Sequence, residues 1–81
     1  ELTGDLTVIG KAESVDVKIL LPTVSRVHAK IWRDEEQYYL RDLDSRNGTF
    51  VNGNQISGKN NCRILPGDEV RFADAVYIFR V

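Results

Sequence analysis

The nine residues SRNGTFVNG, Ser45 to Gly53, hold two Asn-Gly pairs, Asn47-Gly48 and Asn52-Gly53, with only Thr49-Phe50-Val51 between them. Asn-Gly is the strongest short signal for a tight turn with positive φ at both central residues. Two such turns usually flank a strand of ordinary length, and three residues is very short for one. The reading of this stretch decides whether the chain is a dense β structure, and what surface its bends create.

Outward from it, helical periodicity is hard to find, and period-2 alternation recurs. LTVIG (6–10) reads as a strand stopped by Gly10, and VDVKILL (15–21) as an alternating strand stopped by Pro22. VHAKIW (27–32) places Val27, Ala29 and Ile31 on one face and His28, Lys30 and Trp32 on the other. QYYLRDL (37–43) follows across the charged turn RDEE (33–36). CRIL (62–65) ends at Pro66-Gly67, and EVRFA (69–73) and VYIFRV (76–81) form a last hairpin around Asp74 and Ala75. About eight to ten short strands with closely spaced turn signals predict an all-β sandwich or barrel. VHAKIW, YYLRDL and VYIFRV are expected in the sheet centres. The expected core is Val8, Ile9, Ile19, Val27, Ala29, Ile31, Leu40, Leu43, Val51, Leu65, Val70, Phe72, Ile78 and Val81. Loops at 10–16, 23–26 and 44–53 hold the unusual residues, and loops on a rigid sandwich are where binding usually sits.

The chain has 81 residues, which reads as one domain spanning residues 1–81. It starts at Glu1 and ends in a strand-like segment, as expected of a domain excised from a longer protein. Its 11 Lys and Arg against 12 Asp and Glu give a formal charge of −1, which disfavours a general nucleic-acid binder. Any anion must meet a local positive cluster. No apolar run is long enough to span a bilayer and no signal segment is present, so no membrane contact by the domain is expected. The one cysteine, Cys62, allows no intrachain disulfide, and fits the cytoplasm or another reducing intracellular compartment. No basic cluster adjoins Cys62 in sequence, so it reads as an inert thiol.

Several motifs are weighed and set aside. Gly53 to Asn60 fits G-x-x-x-x-G-K but has Asn60 where a P-loop needs Ser or Thr, and strand rather than helix follows. Gly58-Lys59 reads as a solvent-facing turn. Asn47-Gly48-Thr49 matches a glycosylation acceptor and is read as a turn. Ser25 and His28 lie three apart, and on an extended segment they would face opposite ways, without a nucleophile elbow. His28 is better read as a buried ring whose two nitrogens tie the Ser25 loop to a neighbouring backbone. One histidine without a cysteine partner set makes a poor metal site. No cofactor, no metal and no catalysis are expected.

Three loop features remain: Gly10-Lys11, Ser25-Arg26-x-His28, and Ser45-Arg46-Asn47-Gly48-Thr49 followed by Asn52-Gly53. Brought to one end of a sandwich they would offer an ammonium, guanidiniums, a hydroxyl and a carboxamide. That set suits a doubly charged phosphate on a peptide: Lys and Arg neutralise charge, Ser25 donates, and Asn47 can donate to and accept from an extended backbone.

IGK (9–11), SRVHAKI (25–31) and DLDSRNGTFVNG (42–53), in this order and spacing, resemble the signature of the forkhead-associated (FHA) domain, with PGDEVRF (66–72) before the last hairpin. The resemblance runs from about Val8 to Phe79. It implies a two-sheet β-sandwich with ligand-binding loops at one end, recognition of phosphothreonine in a partner protein or peptide, a Ser/Thr kinase upstream, and no catalysis. It implies that Ser25 hydrogen-bonds the phosphate, that Arg26 helps hold phosphate or peptide backbone, that Arg46 faces the peptide, and that Asn47 pairs with its main chain. Gly10, His28, Gly48 and Asn52 resemble the positions that set loop shape. The first bend would present Asn47, and the second would let the chain rejoin the sheet, with Asn52 bracing neighbouring loops. One departure stands out: the family's first motif is usually Gly-Arg, and here it is Gly10-Lys11. Lysine keeps the charge and loses the bidentate fork. The alternative implied is a phosphate-independent scaffold of the same fold, in which Lys11 marks a decaying site. The family usually has a further strand upstream; without it a sheet edge would be open to pairing with another copy.

Overall fold

The computed structural model describes residues 6–56 and 58–80, and these form nine strands and no helix. In chain order they are β1 (Leu6–Gly10), β2 (Val17–Lys18), β3 (Ala29–Asp34), β4 (Gln37–Asp42), β5 (Thr49–Val51), β6 (Asn54–Gln55), β7 (Cys62–Ile64), β8 (Glu69–Phe72) and β9 (Ala75–Ile78). They build two sheets, ordered β2-β1-β3-β4-β7 and β6-β5-β8-β9, so the fold is the expected all-β sandwich.

The turns follow from local chemistry. Val51 pairs with Asn54, so Asn52 and Gly53 alone make the β5–β6 bend, with φ of 50° and 85°. Positive φ at both residues is what a type I′ hairpin requires, and Asn-Gly supplies it at least cost. The Asn47-Gly48 bend is different: only Gly48 has positive φ, at 89°, and it ends a loop rather than a hairpin. The chain thus turns twice in little space because β5 is a three-residue strand crossing the sheet from the loop end to the far end. At Gly67, φ is 97°, and its N–H donates to Phe79 O while Phe79 N–H donates to Asp68 O. Two residues facing one is a bulge with glycine in the left-handed position.

The core is Ile9, Ile19, Val24, Ala29, Leu40, Val51, Ile64, Val70, Phe72, Ala73 and Ala75. Of the expected core, Val8, Ile31 and Leu43 are half-buried, and Val81 lies outside the described residues. Val27, Leu65 and Ile78 are exposed, which corrects their placement. The reason is register. β3 begins only at Ala29, so Val27 still belongs to the loop, and the alternation over 27–32 breaks with His28 and Ala29 both fully buried. Leu65 sits past the end of β7, in a turn closed by Leu65 N–H donating to Asp68 Oδ2 at 2.8 Å. Ile78 pairs with Glu69, on the face opposite to Val70 and Tyr77.

Two strand expectations are also corrected. VDVKILL contributes only Val17–Lys18, because Asp16 ties this segment to β1: Val8 N–H donates to its carboxylate at 2.8 Å, and its own N–H donates to Val8 O at 2.9 Å. VYIFRV is not central: β9 is the edge of its sheet among the described residues. Beside that edge the two sheets part around a cavity of about 600 Å³, lined among others by Ile9, Ile19, Ile31, Val70, Phe72 and Tyr77. Tyr77 therefore stays half exposed although it shares the inner face with Val70.

Candidate functional site

Three loops meet where β1, β3, β4 and β5 reach one end of the sandwich, and they are joined by backbone groups. Lys11 N–H is shared between Ser25 O and Arg26 O, each at 3.0 Å, and Ala12 N–H also donates to Arg26 O at 3.0 Å. This contact explains Gly10. A Cβ there would lie 2.2 Å from Arg26 O, so only glycine lets the 10–16 and 20–28 loops touch. The second loop is pinned to the core by Val24, which is 1% exposed, a residue the sequence pattern did not mark.

His28 links the second loop to the third. Its ring is wholly buried. Nδ1 accepts from Ser25 N–H at 3.1 Å, so the proton sits on Nε2, which donates to Gly48 O at 2.9 Å. Ala73 N–H donates to the same carbonyl at 3.0 Å. Both nitrogens are consumed in holding two loops together, as expected, and no proton-transfer role is left for them. Phe72 packs edge-on against the ring at 5.8 Å.

The third loop has an internal frame. The buried carboxylate of Asp42 accepts from Ser45 N–H at 3.1 Å, from the Ser45 hydroxyl, and from Thr49 Oγ1 at 2.7 Å. Ser45 Oγ in turn accepts from Gly48 N–H at 3.0 Å. The sequence reading assigns no bracing role to Asp42, Ser45 or Thr49, because the bonds among them form only when the loop closes. Thr49 is wholly buried at the start of β5, its hydroxyl spent on Asp42.

The residues expected to bind are presented by this frame. Arg46 N–H donates to Ser25 Oγ at 2.9 Å, so that oxygen is used as an acceptor and the Ser25 proton is left free to donate. Asn47 Nδ2 donates to Thr23 O at 2.7 Å, which orients the amide and leaves Oδ1 to accept. The side chains of Lys11, Arg26 and Arg46 form no hydrogen bond or ion pair among the described residues. All three spring from backbone within one hydrogen bond of Ser25-Arg26. The loop end therefore carries three cations without an ion pair among the described residues, one hydroxyl with a proton to donate and one oriented amide, all on loops joined by hydrogen bonds.

Asn52 is not at this end. Its Nδ2 donates to Asp68 Oδ1 at 3.2 Å and its Oδ1 accepts from Glu69 N–H at 2.9 Å, bracing the β5–β6 turn against the start of β8. Cys62, in β7, has its thiol pKa raised by burial and further by the carboxylate of Asp68. Gly58-Lys59 forms a turn, and the strand β7 rather than a helix follows it. No group of three His, Cys, Asp or Glu among the described residues could hold a metal ion. No helix among them is long and apolar enough to cross a membrane.

Residues 7–73 match the family model of the FHA domain, and the chain belongs to that family. It is 40% identical over 60 residues to an uncharacterised protein of Schizosaccharomyces pombe, covering 67% of this chain and 20% of that protein. It is 40% identical over 63 residues to human sarcolemmal membrane-associated protein, covering 70% of this chain and 7% of that one. The chain thus spans a fifth or less of the length of these relatives. Among solved structures, Mycobacterium tuberculosis EmbR in complex with a low-affinity phosphopeptide superposes with a TM-score of 0.90 at 30% identity, over 98% of this chain and 20% of that one. The N-terminal FHA domain of Saccharomyces cerevisiae Rad53p, bound to a phosphothreonine peptide, gives 0.73 at 27%, over 80% and 53%.

Proposed function

We propose that this domain is a phosphothreonine-dependent peptide-binding module, with Lys11, Ser25, Arg26, Arg46 and Asn47 as its contact residues. The observation that carries the reading is the state of Ser25: its oxygen accepts from Arg46 N–H, which leaves its hydroxyl proton free to donate, and Lys11, Arg26 and Arg46, whose side chains have no hydrogen bond or ion pair among the described residues, spring from backbone joined to Ser25-Arg26. A dianionic phosphate would accept a hydrogen bond from that hydroxyl and be neutralised by Lys11 and Arg26 or Arg46. Asn47 would accept an N–H of the extended peptide through Oδ1. Gly10, His28 and Gly48 hold the loops in register without touching ligand, and Asn52 does the same for β5 from the far end. The likeness to FHA domains seen with phosphopeptides supports the reading. A Ser/Thr kinase would act upstream, on a partner or on another part of the parent protein. The domain itself would do no chemistry.

Lys11 is the point to test. A charge-assisted hydrogen bond is worth about 1.5–3 kcal/mol, roughly tenfold or more in affinity. Lys11→Ala should weaken binding of a phosphothreonine peptide pool by about that factor, and Lys11→Arg should keep or tighten it. Equal affinity in all three proteins would favour the phosphate-independent scaffold instead.

A further inference from the structure

Sheet edges are normally blunted by charges or proline, because their free N–H and C=O groups can template another strand. The β9 edge is not blunted in this way: between Asp74 and Arg80 the chain reads AVYIF. Val76, Tyr77 and Ile78 are about half exposed, and β9 ends its sheet among the described residues. Phe79 shows which backbone groups face outward. Its N–H donates to Asp68 O and its C=O accepts from Gly67 N–H, both on the β8 side. Alternation turns Tyr77 the same way, toward its partner Val70, and leaves the N–H and C=O of Val76 and Ile78 pointing away from the sheet.

This edge is complementary to itself. A second antiparallel β9 must meet the outward groups of Val76 and Ile78 with its own, which allows two-fold registers centred on Val76, Tyr77 or Ile78. Only the register centred on Tyr77 sets Val76 of each copy against Ile78 of the other and Asp74 of each against Arg80 of the other. Asp74 and Arg80 are both exposed, and neither has an ion pair among the described residues. Hydrogen-bond parity and charge thus select the same register. In it Tyr77 meets its counterpart on the symmetry axis, beside the cavity that it lines.

We propose that β9 is a self-association edge: two copies of this chain pair antiparallel about Tyr77, fusing their four-stranded sheets into one, with Asp74–Arg80 ion pairs at both ends of the seam. The contact is one short strand pair, well below the area of a stable interface. Association is therefore weak, on the order of 0.1–1 mM, and the edge stands open in dilute protein. Ala73 N–H donates to Gly48 O at 3.0 Å, so the β8–β9 turn lies at the loop end. The two-fold axis then sends the two loop ends in opposite directions. If those ends bind phosphothreonine as proposed above, the pair bridges two phosphorylated segments rather than clamping one.

The test is sedimentation equilibrium of the 81-residue protein from about 10 μM to about 1 mM, with no peptide present, so its outcome is independent of the phosphothreonine reading. The average mass should rise from monomer toward dimer across that range. Asp74→Arg and Arg80→Asp each set like charges opposite one another and should weaken association by about fivefold or more. The double variant Asp74→Arg/Arg80→Asp restores opposite charges in this register alone, and should recover association to near that of the unaltered protein. Val76→Lys, which blunts the edge, should abolish it. Amide hydrogen exchange should slow with concentration at Val76 and Ile78 and not at Tyr77, whose N–H already faces β8. A monomer at every concentration would overturn the proposal and leave the edge to an extended segment of another protein. A dimer indifferent to both single charge reversals, or one that the double variant does not recover, would overturn it too. The first of these results needs only the unaltered protein, so a poorly folding variant does not shield the proposal.

Discussion

The two flanks of this sandwich are built on opposite terms. At the loop end, segments without regular structure are held by buried polar groups: His28 and Thr49 are wholly buried, Asp42 nearly so, and Ser25, Gly48 and Arg26 are joined through short bonds. At the β9 edge the secondary structure is regular, yet Val76, Tyr77 and Ile78 are each about half exposed beside an open cavity. Order at the first flank comes from satisfied hydrogen bonds in a dry setting, where leaving any partner unpaired costs about 1–3 kcal/mol. At the second flank little packing holds each side chain. The difference implies that substitutions at the loop end, though outside the strands, matter more than substitutions within a strand.

The largest effect that tests this contrast is at His28. Replacement by Ala deletes a buried ring and orphans Ser25 N–H, while Gly48 O loses one of two donors. We expect a loss of about 3–5 kcal/mol, which at about 4–8 °C per kcal/mol is a fall of at least 12 °C in the thermal midpoint. A fall under about 4 °C, read by circular dichroism, would mean the ring is not what couples the loops. Next is Gly10→Ala. The Cβ must displace Arg26 O, an overpacking that costs about 1–3 kcal/mol. The protein should still fold, but with the Lys11 and Ser25 loops parted and phosphopeptide affinity reduced more than stability. Urea unfolding beside a peptide titration separates the two. Smallest is Val76→Thr at the edge, a β-branched exchange on an exposed position, expected within about 0.5 kcal/mol of the parent protein. A loss near that of Gly10→Ala would show that the edge is packed against something and would erase the contrast.

Much of this was legible along the chain because it is local. Short β-rich runs bounded by turn residues located β1, β3, β4, β7, β8 and β9, and the Asn52-Gly53 pair predicted its own turn. The roles of Gly10 and His28 followed from the family resemblance and from the absence of any catalytic partner. What escaped was set by contacts distant in sequence. The rank of β9 as an edge depends on which strands come to lie beside it, and nothing inside VYIFRV encodes that. Val24 looks like an ordinary loop residue until the loop is seen folded onto the core. Asp42 acquires its meaning only when Thr49 and Ser45 close over it. Arg71 meets Phe50 through a cross-strand register that no single segment contains.

The measurement that bears most directly on the central claim is a titration of the isotope-labelled domain with a degenerate phosphothreonine peptide pool, following backbone amide resonances, with the unphosphorylated pool as control. The account predicts shifts concentrated at Lys11, Ser25, Arg26, Arg46 and Asn47 with the phosphorylated pool alone, and little change along β9. An absence of shifts at millimolar phosphopeptide, or identical shifts with both pools, would contradict it.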